Sequence, residues 1–358
     1  MGKYDDAPLL AIWETTRACD LACRHCRASA DAARNPEELT TEEGKRLLDS
    51  IKQAGDPLVV LTGGDPLKRP DLFELLAHSV KIGLRTTVSP SPTPLLTPAA
   101  VERFKRVGVA RMSISVDGPD ALSHDAFRGV KGSFALALRA LETARSVGLE
   151  TQINTTVTRW NWRRLGEMAH LVRRMGAAMW DVFFLVPTGR GQTEDELTAE
   201  EYEQVFEQLY ELSKFSPFAI KTTEAMHYRR FVARKRQQEG KAAAPPPGPM
   251  SRMRGLNSGR GFVFISRTGD IFPSGFLPLE AGNVRTDDLL EVYRTAPLFQ
   301  QLRDSEQLGG KCGSCSYHNL CGGSRARSYA LTGDYMAAEP RCSFEPAPPP
   351  RRPEAVLA

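Results

Sequence analysis

The sequence predicts an α/β protein: a parallel sheet of six strand–helix units, then a smaller, loop-rich region that carries cysteines. Three observations carry that expectation. Short apolar runs alternate with helical patterns from Leu9 to about Leu185. Parallel neighbours need a crossover helix, so the alternation reads as successive βαβ units. A proline-rich stretch, Ala242–Pro249, interrupts the chain and cannot be helical. All seven cysteines lie near the two ends, with none between Cys26 and Cys312. A length of 358 residues suits two domains, or one large α/β unit with an appendage.

The elements follow in order. Leu9–Glu14 is strand-like and Thr41–Ala54 helical. Pro57–Thr62 is a second strand, followed by a helix over Asp71–Ile82. Leu84–Val88, Arg111–Val116 and Glu150–Val157 are strands three to five, with helices at Pro98–Val107, Ser133–Val147 and Arg163–Met175. Met179–Val186 is the sixth strand. Several strands are apolar on both faces, as expected where helices cover one side and a packed interior the other. Six units are fewer than the eight of a closed barrel. The pattern alone leaves an open partial barrel and a doubly wound sheet both standing. Helices over Thr198–Lys214 and Glu224–Glu239 follow; the basic run of the second (Arg229, Arg230, Arg234, Lys235, Arg236) reads as a solvated face. Gly261–Ile265 and Asp270–Phe272, split by Arg267-Thr268-Gly269, read as a β-hairpin. The expected divisions are residues 1–240, a connector over 241–260, a cysteine-bearing domain over 261–345, and a disordered tail over 346–358.

Composition removes several function classes. Lys and Arg number 47 against 43 Asp and Glu, so no basic excess points to nucleic acid. No run of 18 apolar residues points to a membrane span. The first residues, MGKYDD, lack a signal peptide's basic and apolar regions. A cytoplasmic, reducing location is expected, where clustered cysteines bind metal or do chemistry more often than they form disulfides.

Cys19, Cys23 and Cys26 lie on one loop after the first strand. Three thiolates cannot complete a four-ligand site, whether structural zinc or a cubane iron–sulfur cluster. On a cubane they would leave one iron open to an outside ligand. His25, squeezed between two of them, reads as a packing residue.

At these residues the chain resembles a known family. TRACDLACRHC, within Trp13–Cys26, resembles the cluster-binding loop of radical S-adenosylmethionine (SAM) enzymes. Gly63-Gly64-Asp65-Pro66, closing strand two, resembles that family's GGEP motif, with Asp65 where Glu is usual. The resemblance implies a partial (βα)6 barrel of the radical SAM type. It also implies SAM on the open iron of a [4Fe-4S] cluster, its methionyl amine supported by residues 63–66. Ser115 and Asp117, in the segment resembling SxDG, would approach the ribose. Asn154 on strand five would contact SAM, Val186 at the end of strand six would pack on the adenine, and Thr87–Ser91 would touch the methionine part.

Cys312, Cys315, Cys321 and Cys342 supply four thiolates, enough for tetrahedral zinc or a cubane. Their spacing resembles the auxiliary-cluster (SPASM) extension of the same family, reduced to its distal cluster. Ser274 and Arg325 stand where the full form has further cysteines. The resemblance therefore implies a second [4Fe-4S] cluster in a small domain of β-hairpin, loops and helices, with relay of electrons as its role.

As an enzyme, such a protein would reductively cleave SAM to a 5′-deoxyadenosyl radical that abstracts hydrogen from a substrate. Its electrons would come from a donor such as flavodoxin or ferredoxin. Two substrates compete: a peptide or protein side chain, the main expectation, and a tetrapyrrole. WETTRACDLACRHC also resembles the haem-biosynthesis branch, whose carboxylate-bearing substrate would want arginines such as Arg128, Arg159, Arg190, Arg252, Arg254 and Arg260. A different class, a non-catalytic iron–sulfur or zinc protein, would not need the GGDP loop or the six-fold repeat.

Overall fold

The computed structural model describes residues 4–242 and 255–346. Most of the expected connector and the tail beyond Pro346 lie outside the described residues. Strands β1 (Leu10–Glu14), β2 (Leu58–Thr62), β3 (Arg85–Val88), β4 (Arg111–Ser115), β5 (Thr151–Val157) and β6 (Met179–Phe184) fall where the alternation predicts. They pair in chain order, all parallel.

The sheet is longer than six strands. β7 (Ala219–Thr223) adds in parallel beyond β6, a strand the sequence pattern does not reveal. Its five residues are half-buried, so they show no apolar alternation. On the opposite edge β8 (Phe262–Ile265) pairs in parallel with β1, and β9 (Asp270–Phe272) and β10 (Gly282–Asn283) follow as antiparallel neighbours. The hairpin expected to open the C-terminal region thus extends the barrel's own sheet. β7 and β8 are the ends of the parallel run and do not pair, so the barrel stays open.

Helices α1 (Thr41–Gln53), α2 (Leu72–Lys81), α3 (Pro98–Val107), α4 (Ala121–Arg128), α5 (Ser133–Ser146), α6 (Leu165–Met175), α7 (Ala199–Phe215) and α8 (His227–Gln238) accompany the strands. Capping fixes their starts. Thr40 with Glu43, and Thr198 with Glu201, form reciprocal capping boxes on α1 and α7. Thr97 caps α3 ahead of Pro98, whose ring suits the first turn. The C-terminal region, expected as loops and helices after the hairpin, holds short helices α9 (Leu289–Thr295), α10 (Pro297–Arg303), α11 (Gly310–Gly313) and α12 (Arg325–Thr332).

Strand alternation sorts side chains into two layers. Trp13, Val59, Leu61, Met112, Ile114, Ile153, Trp180, Val182 and Val263 face the helices and are fully buried in the main core. The alternate residues face the inside of the curved sheet. A buried charge network ties the C-terminal region to the barrel. Arg327 pairs with Glu196 at 2.9 Å and Glu339 at 3.4 Å and donates to the carbonyls of Glu224 and Leu185, all without exposure at Arg327.

Candidate active site

The inward residues and the cysteine loop enclose a cavity of about 380 Å³. Its walls come from every strand of the parallel run: Leu10 and Ile12, Val60 and Thr62, Thr87, Ser113 and Ser115, Gln152 and Asn154, Asp181 and Phe183, Lys221 and Thr223, and Phe262 and Phe264. Cys19, Cys23 and Cys26 all line it.

The cysteine loop is held by long-range contacts. Gly64 N–H donates to the Thr16 carbonyl at 2.8 Å and Asp65 N–H to that of Ala18 at 2.7 Å. A Cβ on Gly63 would sit 2.5 Å from the Thr16 oxygen, and one on Gly64 2.5 Å from the Ala18 oxygen. The two glycines thus let the β2 turn dock on the backbone leading to Cys19, while both also line the cavity. Asp65 and Pro66 do not line it. The Asp65 carboxylate accepts from Thr93 Oγ1 at 2.7 Å and Leu67 N–H at 3.1 Å, bracing the loop from behind. Burial raises its pKa, against those hydrogen bonds.

Asp117 is likewise displaced from the expected ribose contact. It is buried outside the cavity, ion-paired with Arg128 at 2.5 Å. Arg128 Nη1 reaches Cys23 Sγ at 3.5 Å, so the Asp117–Arg128 pair presents a cation to a cysteine. Val186 also misses the cavity. β6 ends at Phe184, and the turn beyond packs Val186 against Leu277, Leu302, Ala326 and Met336. Ser115, Asn154, Thr87, Ser89 and Ser91 do line the cavity. His25 stacks on Phe127 with centroids 4.4 Å apart, as a packing residue would.

Each N-terminal thiol has a polar neighbour. Leu21 N–H points at Cys19 Sγ and Ala30 N–H at Cys26 Sγ, both at 3.4 Å. Burial raises the pKa of Cys19 and Cys23, opposed at Cys23 by Arg128. A cation and N–H donors beside sulfurs in an apolar site fit ligated thiolates, whose charge they would offset.

The second cysteine centre differs. Cys312, Cys315, Cys321 and Cys342 together line a cavity of about 20 Å³. N–H groups of Glu339, Tyr317 and Gly323 point at Cys312, Cys315 and Cys321 from 3.3 to 3.4 Å, and Arg230 Nη2 lies 3.9 Å from Cys342 Sγ. Consecutive left-handed glycines, Gly322 (φ 68°) and Gly323 (φ 65°), make that approach. Burial pushes the Cys321 thiol up to about 12. Four thiols, each with a donor, fit a fully ligated cluster. Ser274 and Arg325 are committed elsewhere: Ser274 hydrogen-bonds Glu224 at 3.4 Å, and Arg325 donates to the carbonyls of Tyr335 and Ala337.

Against this geometry, the sequence matches the Radical SAM superfamily model over residues 13–172. An AdoMet-dependent heme synthase of Nitratidesulfovibrio vulgaris is 46% identical over 340 residues, covering 94% of this chain and 92% of the relative. The chain belongs to the radical SAM family. A mycofactocin maturase MftC of Mycobacterium ulcerans is 33% identical, covering 92% of this chain and 85% of its own. In fold, Streptococcus suis SuiB bound to its precursor peptide SuiA matches with a TM-score of 0.75 at 18% identity, covering 95% of this chain and 76% of SuiB. This radical SAM protein is an enzyme whose family uses a [4Fe-4S] cluster and SAM, with an auxiliary cluster typical of its SPASM-type relatives. The non-catalytic alternative falls with that assignment.

The structure also corrects the reading of the arginines. Arg128 and Arg190 line the cavity, whereas Arg159 is exposed and Arg260 points to Asn319; Arg252 and Arg254 lie outside the described residues. The basic run of α8 is a solvated face only in its second half, where Arg234 is exposed. Arg229 lines the cavity and Arg230 is buried, because α8 is wedged between the barrel mouth and the second cysteine centre. The sequence pattern missed Arg27, Lys221, Glu224 and Ser258 as cavity residues. No sequence signal marked them; in the structure Glu224 stands out as a non-glycine residue with φ 57°.

Proposed function

We propose that this radical SAM enzyme oxidatively trims a carboxylate-bearing tetrapyrrole. The cavity's charge carries the reading. Six cations line it (Arg27, Arg111, Arg128, Arg190, Lys221 and Arg229) against two carboxyls, Asp181 and Glu224. Four of the six are ion-paired, with Glu14, Glu150, Asp117 and Asp181. Arg190 and Arg229 make no ion pair among the described residues and donate to main-chain carbonyls. Unbalanced cations in an enclosed apolar site call for an anionic occupant. The 46% identity to a heme synthase points the same way.

Cys19, Cys23 and Cys26 would hold the SAM-binding cluster, and the four C-terminal cysteines the auxiliary one. When bound, the first cluster and SAM supply a 5′-deoxyadenosyl radical that takes hydrogen from an unactivated C–H bond. The chain's residues do the rest. Gly63 and Gly64 bring the β2 turn against the cysteine loop, and Ser115 and Asn154 offer polar contacts to SAM. Phe183, Phe264 and Leu10 present an apolar wall for a macrocycle and exclude water. Removal of hydrogen beside a propionate, with loss of carbon dioxide and one further electron, leaves a vinyl group. The donor of the starting electron would be flavodoxin or ferredoxin, in a cytoplasm that keeps the thiols reduced.

A second reading, modification of a peptide side chain, is supported by the 33% identity to mycofactocin maturases. The test is anaerobic reconstitution with SAM, dithionite and iron coproporphyrin III. The tetrapyrrole reading expects 5′-deoxyadenosine together with a porphyrin lighter by carbon dioxide and two hydrogens. Deoxyadenosine with unchanged porphyrin would sink it and favour a peptide.

A further inference from the structure

One end of the cavity, beside the second cysteine centre, carries polar groups that nothing described so far engages. Arg229 stands there on α8. Its Nη2 donates to the Leu256 carbonyl at 2.7 Å and its Nη1 to the Leu320 carbonyl at 3.4 Å. It has no ion pair among the described residues, and residues 243–254, which precede Leu256, include no Asp or Glu. Two residues after Leu256, Ser258 lines the same cavity. Ser258 is 2% exposed, and its buried hydroxyl has no hydrogen-bond partner. A half-buried cation without a counter-charge among the described residues, and a buried, unpartnered hydroxyl, are both groups that an anionic ligand would satisfy.

We propose that Arg229 and Ser258 form a carboxylate-binding bay that anchors one side-chain carboxylate of the substrate. A carboxylate accepts from both the guanidinium and the hydroxyl, which matches the donors present. The bay also sets position. Arg229 is bonded to Leu320, the residue before Cys321, so the anchored group lies on the side of the cavity nearest the second cysteine centre. This inference rests on the tetrapyrrole reading and names the residues that would recognise its carboxylates.

The test is a binding titration with no turnover. Coproporphyrin III, an iron-free tetracarboxylate, is titrated by absorbance into anaerobically reconstituted wild type, Arg229→Gln, Arg229→Lys and Ser258→Ala. Charged hydrogen bonds of this kind are worth about tenfold or more in affinity. Arg229→Gln should weaken binding by about tenfold or more, Arg229→Lys should recover part of it, and Ser258→Ala should weaken it by about fivefold. Iron content and melting temperature should match wild type. Tight binding by wild type with equal binding by Arg229→Gln overturns the bay alone. A shifted potential of the auxiliary cluster in Arg229→Gln, with porphyrin binding unchanged, also overturns it, since the cation would then serve the cysteines. No binding by wild type overturns the tetrapyrrole reading and the bay with it.

Discussion

The two cysteine centres use the same ligand chemistry to opposite ends. The N-terminal three open onto a cavity of about 380 Å³, and the C-terminal four close around about 20 Å³. The first has local N–H donors from Leu21 and Ala30 but is braced from afar: the turn after β2 supplies Gly63 and Gly64, and α4 supplies Arg128. The second is local, with N–H donors from Tyr317 and Gly323 two residues from the cysteines they face, and only Cys342, Glu339 and Arg230 brought from farther away. An incomplete set at the edge of a large cavity can admit SAM and present it to a substrate. A complete set in a closed one can hold a cluster but leaves no ligand position for the substrate.

The comparison can be broken most directly at the cysteines. Cys19→Ala should abolish 5′-deoxyadenosine formation and lower bound iron from about eight to about four per chain. Cys312→Ala should lose iron to the same extent yet keep cleavage of SAM, while losing substrate product. Equal loss of cleavage in both variants, followed by chromatography, would erase the distinction between the centres. The link between the regions is the next target. Arg327→Met would leave Glu339 buried without its cation and Glu196 with Arg341 alone, at a cost of about 3–5 kcal/mol. Urea unfolding should show that loss; a change under about 1 kcal/mol would mean the network does not join the regions.

Smaller effects sharpen the N-terminal side. Gly64→Ala forces the β2 turn off the Ala18 carbonyl, and a shift of about 1 Å can cost about 100-fold in rate. SAM cleavage at wild-type rate in that variant would show that the docking is not needed. His124 gives a pH test. Burial, then the charge of Arg128, holds its pKa at about 3, and its Nδ1 accepts the Asp117 N–H. The unfolded chain takes up that proton near 6.5, so stability falls as pH drops below about 6.5 towards 3. At pH 5 the contribution amounts to about 2 kcal/mol lost relative to neutral pH. The difference between urea midpoints at pH 5 and 7.5 should narrow in His124→Gln, with His25 and His227, also held low by burial, supplying the rest; an unchanged difference would place the titration elsewhere.

Much of the architecture was legible because it is written in short-range pattern. Capping pairs such as Thr40 and Glu43, and the spacing of Cys19, Cys23 and Cys26, involve neighbours whose geometry the chain itself dictates. β7 escaped because a half-buried strand lacks the alternation that marks one, and Val186 was misplaced because β6 ends two residues early. Asp65 and Asp117 sit in the expected motifs but turn away from the cavity, a matter of side-chain direction that no motif encodes.

By itself, then, the sequence determined the repeated strand–helix units, the two cysteine sets and the glycine turn, all features of residues close together in the chain. Only the tertiary structure decided which charges share the cavity. Lys221 from β7, Arg229 from α8 and Ser258 ahead of β8 meet because the sheet curves and α8 wedges against its mouth. Their chemistry depends on burial and on which partners lie within reach, and both are properties of the packed chain instead of any stretch of it.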